Sequence, residues 1–321
     1  MKLNTTNLLK AAAILEAVVI LGLITVIAFF FIRNSGSVAA NADPQVRTRA
    51  VIEKEETFYQ LDGKKILMHN STMGETFIPA FSDVPASNLD PANFSADANG
   101  FVKYNGNPDI PSIVGIDISE HQGIIDWQQV KSAGIEFVMI RAGYRTYGDG
   151  ILTMDTMLYD NLSGASEAGL DVGVYFFSQA TTEAEAIEEA DAVLDAVSAY
   201  DITYPIVFDW ELIYEDHART DSMTVENLAD CCVAFCERVK SAGYTPMIYQ
   251  NASTATHKLD LPRVKDYEFW LAEYTASPSF YYEYDMWQYS STGTVPGITG
   301  AVDLNVCFKD YSAPPVATPS E

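Results

Sequence analysis

Two strand-like segments of this chain end in acidic residues. The segment SIVGIDIS carries Asp117, and the segment YPIVFDWE carries Asp209 and Glu211. Alternate side chains of an extended strand share a face, so Asp209 and Glu211 should point the same way, with Cβ atoms roughly 6–7 Å apart, while Trp210 points the opposite way. Like charge and partial burial raise the pKa of one carboxyl group in such a pair, which suits the pair for acid–base chemistry.

Taken alone, this acid-x-acid pattern has two interpretations. The pair can perform glycoside hydrolysis, with Glu211 as the general acid. In so acidic a chain, the same pattern also arises by chance in carboxylates that face solvent or cap a neighbouring element. The elements that carry the pair must therefore decide between the two.

Those elements alternate between apolar strands and amphipathic helices from residue 112 onward. Nearly continuous apolar runs are typical of parallel strands buried on both faces. No glycine-rich phosphate loop follows the first strand, so a barrel is favoured over an open nucleotide-binding sheet. Chemistry in a β/α barrel lies at the carboxyl ends of the strands, where the acidic residues are. The predicted strands are 112–119, 135–142, 171–178, 204–211, 244–250, 267–274 and 284–290.

Two helices are well marked between these strands. TVENLADCCVAFCERVKSAGY begins at a cap, Thr224, and ends at Gly243. TEAEAIEEADAVLDAVSAY has apolar residues at helical spacing, and its acidic residues are expected to face water largely as a solvated surface. These acidic residues are Glu183, Glu185, Glu188, Glu189, Asp191 and Asp195.

Read in order, several motifs resemble the glycoside hydrolase family 25 muramidases. They are GIDISEHQGIIDW, FVMIRAGYR, GVYFFS, FDWE, FWLAEY and WQYSSTGTVPGITGAVDLN, and together they cover about residues 112–308. The resemblance implies an α/β fold, a flattened (β/α)5β3 TIM-like barrel, with the Asp-x-Glu pair at the floor of a long groove. It also implies cleavage of the β-1,4 bond between N-acetylmuramic acid and N-acetylglucosamine in peptidoglycan.

By this match, Glu211 is the proton donor, Asp209 its partner and Asp117 a further active-site acid. Asp303, in VDLN, is implied as a fourth acidic residue that lines the groove. His121 stands in SEHQG, where family members often carry an aromatic residue or histidine, so it is expected to line the groove as well.

Aromatic and amide residues near strand ends complete the predicted site. Sugar-binding grooves commonly have aromatic platforms, although most aromatics of a buried strand are core. Tyr249, Trp287 and Gln288 are the ones expected to bind substrate. No metal and no cofactor are expected, because the other histidines supply no ligand spacing around His121.

Three competing functions remain at this point. A chitinase-like endo-glycosidase would carry a further aspartate two positions before the pair, where this chain has Val207. A noncatalytic wall-binding protein could keep the groove without turnover, and a purely structural tether would not need acidic strand ends.

Carboxyl groups this close leave little room for the water of an inverting enzyme, so retention through the 2-acetamido oxygen of the substrate is the favoured hypothesis.

The N-terminal region predicts a membrane anchor. Residues 11–32 form a 22-residue apolar stretch whose only charge is Glu16, which is long enough for one transmembrane helix and too long for a signal peptide. The short tail before it favours a cell-membrane location with the catalytic domain extracytoplasmic. Secretion after cleavage near Ala42 is the alternative.

The remaining boundaries follow from changes in composition. Residues 1–10 are expected to form a cytoplasmic tail, 33–50 a linker, 51–111 a small β-rich spacer with a hairpin at Asp62-Gly63, 112–310 the catalytic barrel, and 311–321 a disordered tail.

The charge restricts the partners. There are 44 acidic and 19 basic residues, a formal net charge of −25, which disfavours nucleic acid. Peptidoglycan glycan strands and the membrane are the expected partners of a monomer. The four cysteines are interpreted as buried free thiols, although Cys307 could meet one of the other three in space.

Overall fold

The computed structural model describes residues 65–70, 74–213 and 217–312. The predicted tail, anchor and linker (1–10, 11–32 and 33–50) and residues 313–321 of the predicted C-terminal tail lie outside these residues. Among the described helices, none combines the length and apolar character needed to cross a membrane. Contacts divide the chain into Met1–Lys54 and Glu55–Glu321, and the second unit contains every described residue.

Strands and helices alternate through most of this unit. Its strands are β1 (Lys65–Asn70), β2 (Gly74–Pro79), β3 (Phe94–Ala96), β4 (Val102–Tyr104), β5 (Ile113–Ile118), β6 (Phe137–Arg145), β7 (Leu152–Met154), β8 (Asp171–Ser178), β9 (Ile206–Trp210), β10 (Pro246–Asn251), β11 (Glu268–Ala272), β12 (Met286–Gly293) and β13 (Val302–Cys307). Its α-helices are α1 (Trp127–Ser132), α2 (Leu158–Glu167), α3 (Glu183–Val197), α4 (Val225–Ser241), α5 (Ala252–His257) and α6 (Leu261–Val264).

Eight of these strands form a closed barrel. Their order is β5-β13-β12-β11-β10-β9-β8-β6, and β6 pairs back to β5. The six pairings from β5 through β6, β8, β9, β10 and β11 to β12 are parallel, whereas β13 is antiparallel to both of its neighbours. At least one helix follows each of the first five barrel strands before the next, and none lies between the last three. The described connectivity is therefore that of a (β/α)5β3 barrel.

The helix boundaries follow local chemistry. The side chain of Thr224 accepts a hydrogen bond from the backbone N–H of Asn227 at the start of α4, and Gly243 adopts φ 92° just after its end. Both ends agree with the predicted cap and stop.

One predicted feature of α3 is wrong. Glu189, expected to face water, is fully buried. Its carboxylate accepts hydrogen bonds from Arg145 Nε at 2.6 Å and from Ser178 Oγ at 2.6 Å. The strands β6 and β8 thus supply partners for a charge on the inner face of α3, which the sequence of the helix alone does not reveal.

The segment before the barrel packs against the strands that have no covering helix. The Phe94 ring lies 5.1 Å from the Trp287 ring on β12 and 5.8 Å from the Phe308 ring, centroid to centroid. Leu89 and Phe101 are buried in the same hydrophobic core as the barrel. Residues 84–111 therefore cover the outer face of β12 and β13, in addition to linking the barrel to the preceding chain.

The described hairpin of this region is formed by β1 and β2, which pair from Lys65 opposite Pro79 to Asn70 opposite Gly74. The predicted turn at Asp62-Gly63 lies outside the described residues. All four cysteines are free and buried, three on α4 and Cys307 on β13, as predicted.

Candidate functional site

A cavity of about 250 Å³ opens at the carboxyl ends of the parallel strands. Four carboxylates line it: Asp117, Asp209, Glu211 and Asp303. We call it the acidic cavity. The fold thus brings the four predicted acids together. Asp117, Asp209 and Asp303 lie on β5, β9 and β13, and Glu211 directly follows β9.

Strand β9 delivers the central pair. Asp209 lies within β9, Glu211 follows its last residue, and both line the acidic cavity. Trp210 between them is buried in the hydrophobic core. As predicted, the two acidic side chains face the cavity, and the Trp210 side chain between them faces the hydrophobic core.

Burial dominates the electrostatics of this pair. It raises the pKa of Glu211 to about 7, with a further contribution from the charge of Asp303. Burial, followed by the charges of Glu211 and Asp117, also raises the pKa of Asp209 well above its usual range, and Arg141 opposes this shift. The cavity consequently retains protons near neutral pH.

Asp117, at the end of β5, is held by two side-chain amides. Its Oδ2 accepts hydrogen bonds from Gln288 Nε2 at 2.8 Å and Asn305 Nδ2 at 2.7 Å. Trp270 Nε1 donates to Asn305 Oδ1 at 2.9 Å, which leaves only the Nδ2 group of Asn305 to face Asp117. Burial and the charge of Asp303 nevertheless raise the pKa of Asp117 to about 8, although both amides oppose that shift.

Asp303 reaches the cavity by a different route. It lies near the start of β13, opposite Asp117 in the antiparallel pairing. Because β13 runs against the other barrel strands, its amino end meets their carboxyl ends. Burial raises the pKa of Asp303 to about 6.

Two tyrosines and a glutamine form one wall. The hydroxyls of Tyr249 and Tyr274 each donate to Gln288 Oε1 at 2.9 Å, and all three residues line the acidic cavity. Gln288 Nε2 is thereby directed at Asp117. Predicted residues Tyr249 and Gln288 lie where a ligand of the cavity would touch them, and the exposed His121 lies on its rim.

Arg141, which was not among the predicted site residues, also lines the cavity. Its Nε donates to Asp155 Oδ2 at 2.8 Å and its Nη2 donates to Glu120 Oε1 at 3.2 Å. A charged residue inside the apolar run FVMIRAG is unusual and could have indicated that Arg141 lies at a site. Two carboxylate partners neutralise Arg141, so the acidic residues dominate the cavity.

A larger, shallower depression of about 690 Å³ lies beside α1, with Trp127, Gly164 and Ile298 among its lining residues. Its carboxylates are Asp126 and Glu167, and Asp126 caps α1 by accepting from Gln129 N. Size alone does not identify the reactive site here, because the four clustered carboxyl groups with raised pKa values line the smaller cavity, whereas hydrogen bonds to Gln129 lower the pKa of Asp126.

Comparison with known proteins agrees with this geometry. The model of the family "Glycosyl hydrolases family 25" matches residues 116–298, more than half of the chain. The chain belongs to glycosyl hydrolases family 25.

Relatives of this family 25 chain include enzymes named as lysozymes. The autolytic lysozyme of Clostridium acetobutylicum is 30% identical over 192 residues, which cover 60% of this chain and 54% of the relative. Lysozyme M1 of Streptomyces globisporus is 30% identical over 211 residues, which cover 62% of this chain and 69% of the relative. This chain therefore spans about half the length of the first and about two thirds of the second.

A solved structure shows the same fold. The bacterial lysozyme from Streptomyces coelicolor superposes with a TM-score of 0.51 at 27% identity, covering 61% of this chain and 91% of that one. The family match at residues 116–298 lies within the barrel of this family 25 protein.

One predicted substrate-binding residue is not on the cavity wall. Trp287 is fully buried, its Nε1 donates to Glu273 O at 2.9 Å, and its ring packs against Phe94. It alternates along β12 with Gln288, which faces the cavity, so Trp287 faces the outer side of the barrel. Its position gives no support to the predicted contact with substrate.

Chemically, the acidic cavity suits cleavage of an acetal. Burial raises the pKa of all four carboxyl groups, to about 7 at Glu211 and about 6 at Asp303, so protonated and ionised carboxyl groups coexist near neutral pH, as general acid catalysis with charge stabilisation requires. Among the described residues, no group of three His, Cys, Asp or Glu side chains is arranged to hold a metal ion.

Proposed function

We propose that this family 25 protein is a muramidase that hydrolyses the β-1,4 bond between N-acetylmuramic acid and N-acetylglucosamine in peptidoglycan. The observation that carries the proposal is the raised pKa of Glu211, about 7, in a cavity shared with three other carboxylates. The lysozyme-named relatives support the choice of peptidoglycan as substrate.

Glu211 acts first as general acid. It donates its proton to the glycosidic oxygen while the bond from that oxygen to the anomeric carbon breaks. The 2-acetamido oxygen of N-acetylmuramic acid attacks the same carbon from the opposite face and forms a cyclic, positively charged intermediate. Glu211, now ionised, then removes a proton from water, and the water opens the ring with net retention.

Asp209 supports this substrate-assisted route. Its Oδ1 is buried and has no hydrogen-bond partner, so it is available to accept the N–H of the acetamido group. The positive charge that develops on the acetamido group favours the ionised form of Asp209, although burial opposes ionisation in the empty cavity.

Asp117, Asp303, Tyr249 and Gln288 bind the substrate in this proposal. Gln288 receives two tyrosine hydroxyl donors and directs its own N–H at Asp117, which fixes the orientation of each polar group. A fixed set of acceptors recognises sugar hydroxyls without reorganisation.

The activity is tested with the purified full-length protein in detergent and purified peptidoglycan. The products are reduced with borohydride, and mass spectrometry of the hydrolysed sugars distinguishes muramitol from glucosaminitol. We expect muramitol from the wild type, at least 100-fold less from Glu211→Gln, and wild-type levels from Glu283→Gln, which changes an exposed loop carboxylate. Binding of peptidoglycan without new reducing ends would instead identify a noncatalytic wall-binding protein.

The stereochemistry is tested separately. Proton NMR of the first product released from a defined glycan is expected to show the β-anomer. An initial α-anomer would exclude the substrate-assisted route while leaving the muramidase activity intact.

The chitinase-like alternative has less support. Val207, where such an enzyme would carry an additional aspartate, is fully buried in an apolar cluster with Met139 and Met247. A carboxylate at this position would need a partner that these neighbours cannot offer.

We further propose that the protein is a monomer anchored by residues 11–32 with the barrel outside the cytoplasmic membrane. The apolar length of that segment supports the anchor. Carbonate extraction of membranes and protease treatment of intact spheroplasts test it, since a barrel resistant to external protease would reverse the topology. Light scattering of the detergent-solubilised protein tests the monomer.

A further inference from the structure

The backbone pairing of β9 ends just before Glu211. The last paired residues are Ser178 with Trp210 on the β8 side and Asp209 with Tyr249 on the β10 side. The carbonyl groups of Trp210 and Glu211 receive hydrogen bonds from side chains instead. Such groups need a partner when buried, and here two glutamines supply it.

The two glutamines approach from opposite sides. Gln179, directly after β8, donates from Nε2 to Glu211 O at 2.9 Å. Gln250, on β10, donates from Nε2 to Trp210 O at 2.7 Å. Both side chains are fully buried, with an exposed fraction of 0%.

We propose that Gln179 and Gln250 are positioning residues for Glu211. The carbonyls of Trp210 and Glu211 belong to the two peptide planes that flank the Cα of Glu211. Holding both planes fixes the backbone dihedrals of Glu211 and hence the direction of its Cα–Cβ bond. The inference rests on the proposed role of Glu211 as the general acid.

Gln179 is itself held rigidly. Its Nε2 also donates to Ser178 O at 2.9 Å, and its Oε1 accepts from Thr220 Oγ1 at 2.7 Å. Arg219 Nη1 donates to the backbone oxygen of Gln179 at 3.1 Å, and Arg219 Nη2 donates to Glu185 Oε1 at 2.5 Å. The amide orientation is therefore determined, because the carbonyls of Ser178 and Glu211 can only accept and so require the NH2 end, which turns Oε1 toward the donating hydroxyl of Thr220.

Replacing either glutamine by leucine keeps the size but removes the donor. The buried carbonyl then loses its partner, and the backbone around Glu211 relaxes. Displacement of a reacting group by about 1 Å can cost about 100-fold in rate. We expect kcat to fall about 10- to 100-fold in Gln179→Leu and in Gln250→Leu, with KM within about twofold of the wild type.

The measurement uses the full-length protein and a defined oligosaccharide of alternating N-acetylglucosamine and N-acetylmuramic acid. Asn161→Leu is the matched control, because Asn161 is a buried amide on α2 that does not line the acidic cavity. A purely structural role predicts that all three leucine variants lose thermal stability and keep kcat. Equal kcat in Gln179→Leu, Gln250→Leu and Asn161→Leu would overturn the proposal.

A conservative variant adds a second test. A protonated carboxyl group resembles the amide and can donate to Glu211 O, whereas an ionised one repels it. Activity of Gln179→Glu relative to the wild type should therefore rise as the pH falls, and that of Gln179→Leu should not. A pH-independent ratio for Gln179→Glu would count against positioning through this hydrogen bond.

An activity-independent measurement separates this inference from the proposed function. Carbon-13 NMR of glutamate-labelled protein follows the Glu211 carboxyl group, assigned by its loss in Glu211→Gln. Leucine at position 179 or 250 should shift the Glu211 pKa, and Asn161→Leu should not. An inactive wild type would refute the muramidase proposal alone, whereas an unmoved Glu211 pKa together with unchanged kcat would refute the positioning role alone.

Discussion

Glu211 combines a raised pKa with a place beside three other carboxylates, and this combination has kinetic consequences. The general acid works only in its protonated form, and burial raises its pKa to about 7. We expect kcat/KM to decline on the alkaline side with an apparent pKa near 7, because the proton is lost there. The pH dependence of kcat/KM on a defined glycan measures this directly, and a profile flat up to pH 9 would contradict the assignment.

The same raised pKa means that the ionised Glu211 carboxylate destabilises the folded protein at high pH. A carboxyl group with a raised folded-state pKa contributes stability that is complete below its unfolded pKa of 4.5 and is lost as the pH rises through about 7. Glu211→Gln should therefore melt at a higher temperature than the wild type at pH 8 and at the same temperature near pH 4. Glu283→Gln is the control, and differential scanning calorimetry at both pH values is the measurement.

Substitutions of Trp287 and Tyr249 should affect different properties, the stability of the fold in the first case and the activity in the second. Trp287→Phe removes the hydrogen bond to Glu273 O, so it should lower the melting temperature and leave KM unchanged. Tyr249→Phe removes the hydroxyl that donates to Gln288 and should lower kcat/KM about 3- to 10-fold. An altered KM in Trp287→Phe would restore its predicted role at the substrate.

At the scale of elements, the apolar runs were sufficient to predict most barrel strands. The segment 171–178 coincides with β8, and the others agree to within a few residues. Glu211 was predicted inside a strand, but the pairing ends at Trp210, because side chains replace backbone donors there. Strand limits depend on such neighbours, which a local pattern does not contain.

The face of a doubly buried strand was harder to predict. Both sides of β12 are covered, one by the cavity wall and one by Phe94, so hydrophobicity does not distinguish Trp287 from Gln288. Strand β13 was not among the predicted strands, although its motif VDLN was recognised. The four acids were predicted from their motifs, whereas Arg141, Gln179 and Gln250 depend on contacts between strands.

The segment that covers β12 and β13 predicts a stability effect far from the cavity. Phe94 contacts Tyr104, Trp287 and Phe308 and is half-buried. Phe94→Ala should lower the free energy of unfolding by about 2 kcal/mol, less than for a fully buried phenylalanine. Urea denaturation measures the change, with Phe77→Ala, at an exposed ring, as the control. Equal stability of both variants would argue against a covering role.

At the scale of the whole molecule, the net charge of −25 opposes compaction. Repulsion between like charges is screened by salt over a Debye length of about 10 Å at 0.1 M. The melting temperature at pH 7.5 should therefore rise between about 10 and 200 mM sodium chloride. Sodium sulfate at matched ionic strength separates screening from specific ion effects, and a melting temperature independent of sodium chloride would contradict the repulsion.

The barrel closes through the antiparallel strand β13, and this has a practical consequence for redesign. The loop 294–301, between β12 and β13, reaches the same rim as the loops that follow the parallel strands, and it touches α1, because Gly297 O accepts a hydrogen bond from the backbone N–H of Asp126, the residue that caps this helix. Variation that spares Gly297 and the buried Val295 and Ile298 can therefore reshape this part of the rim without disturbing the start of α1. For laboratory evolution toward altered glycans, the exposed positions 294, 296 and 299–301 of this hairpin are the places to begin.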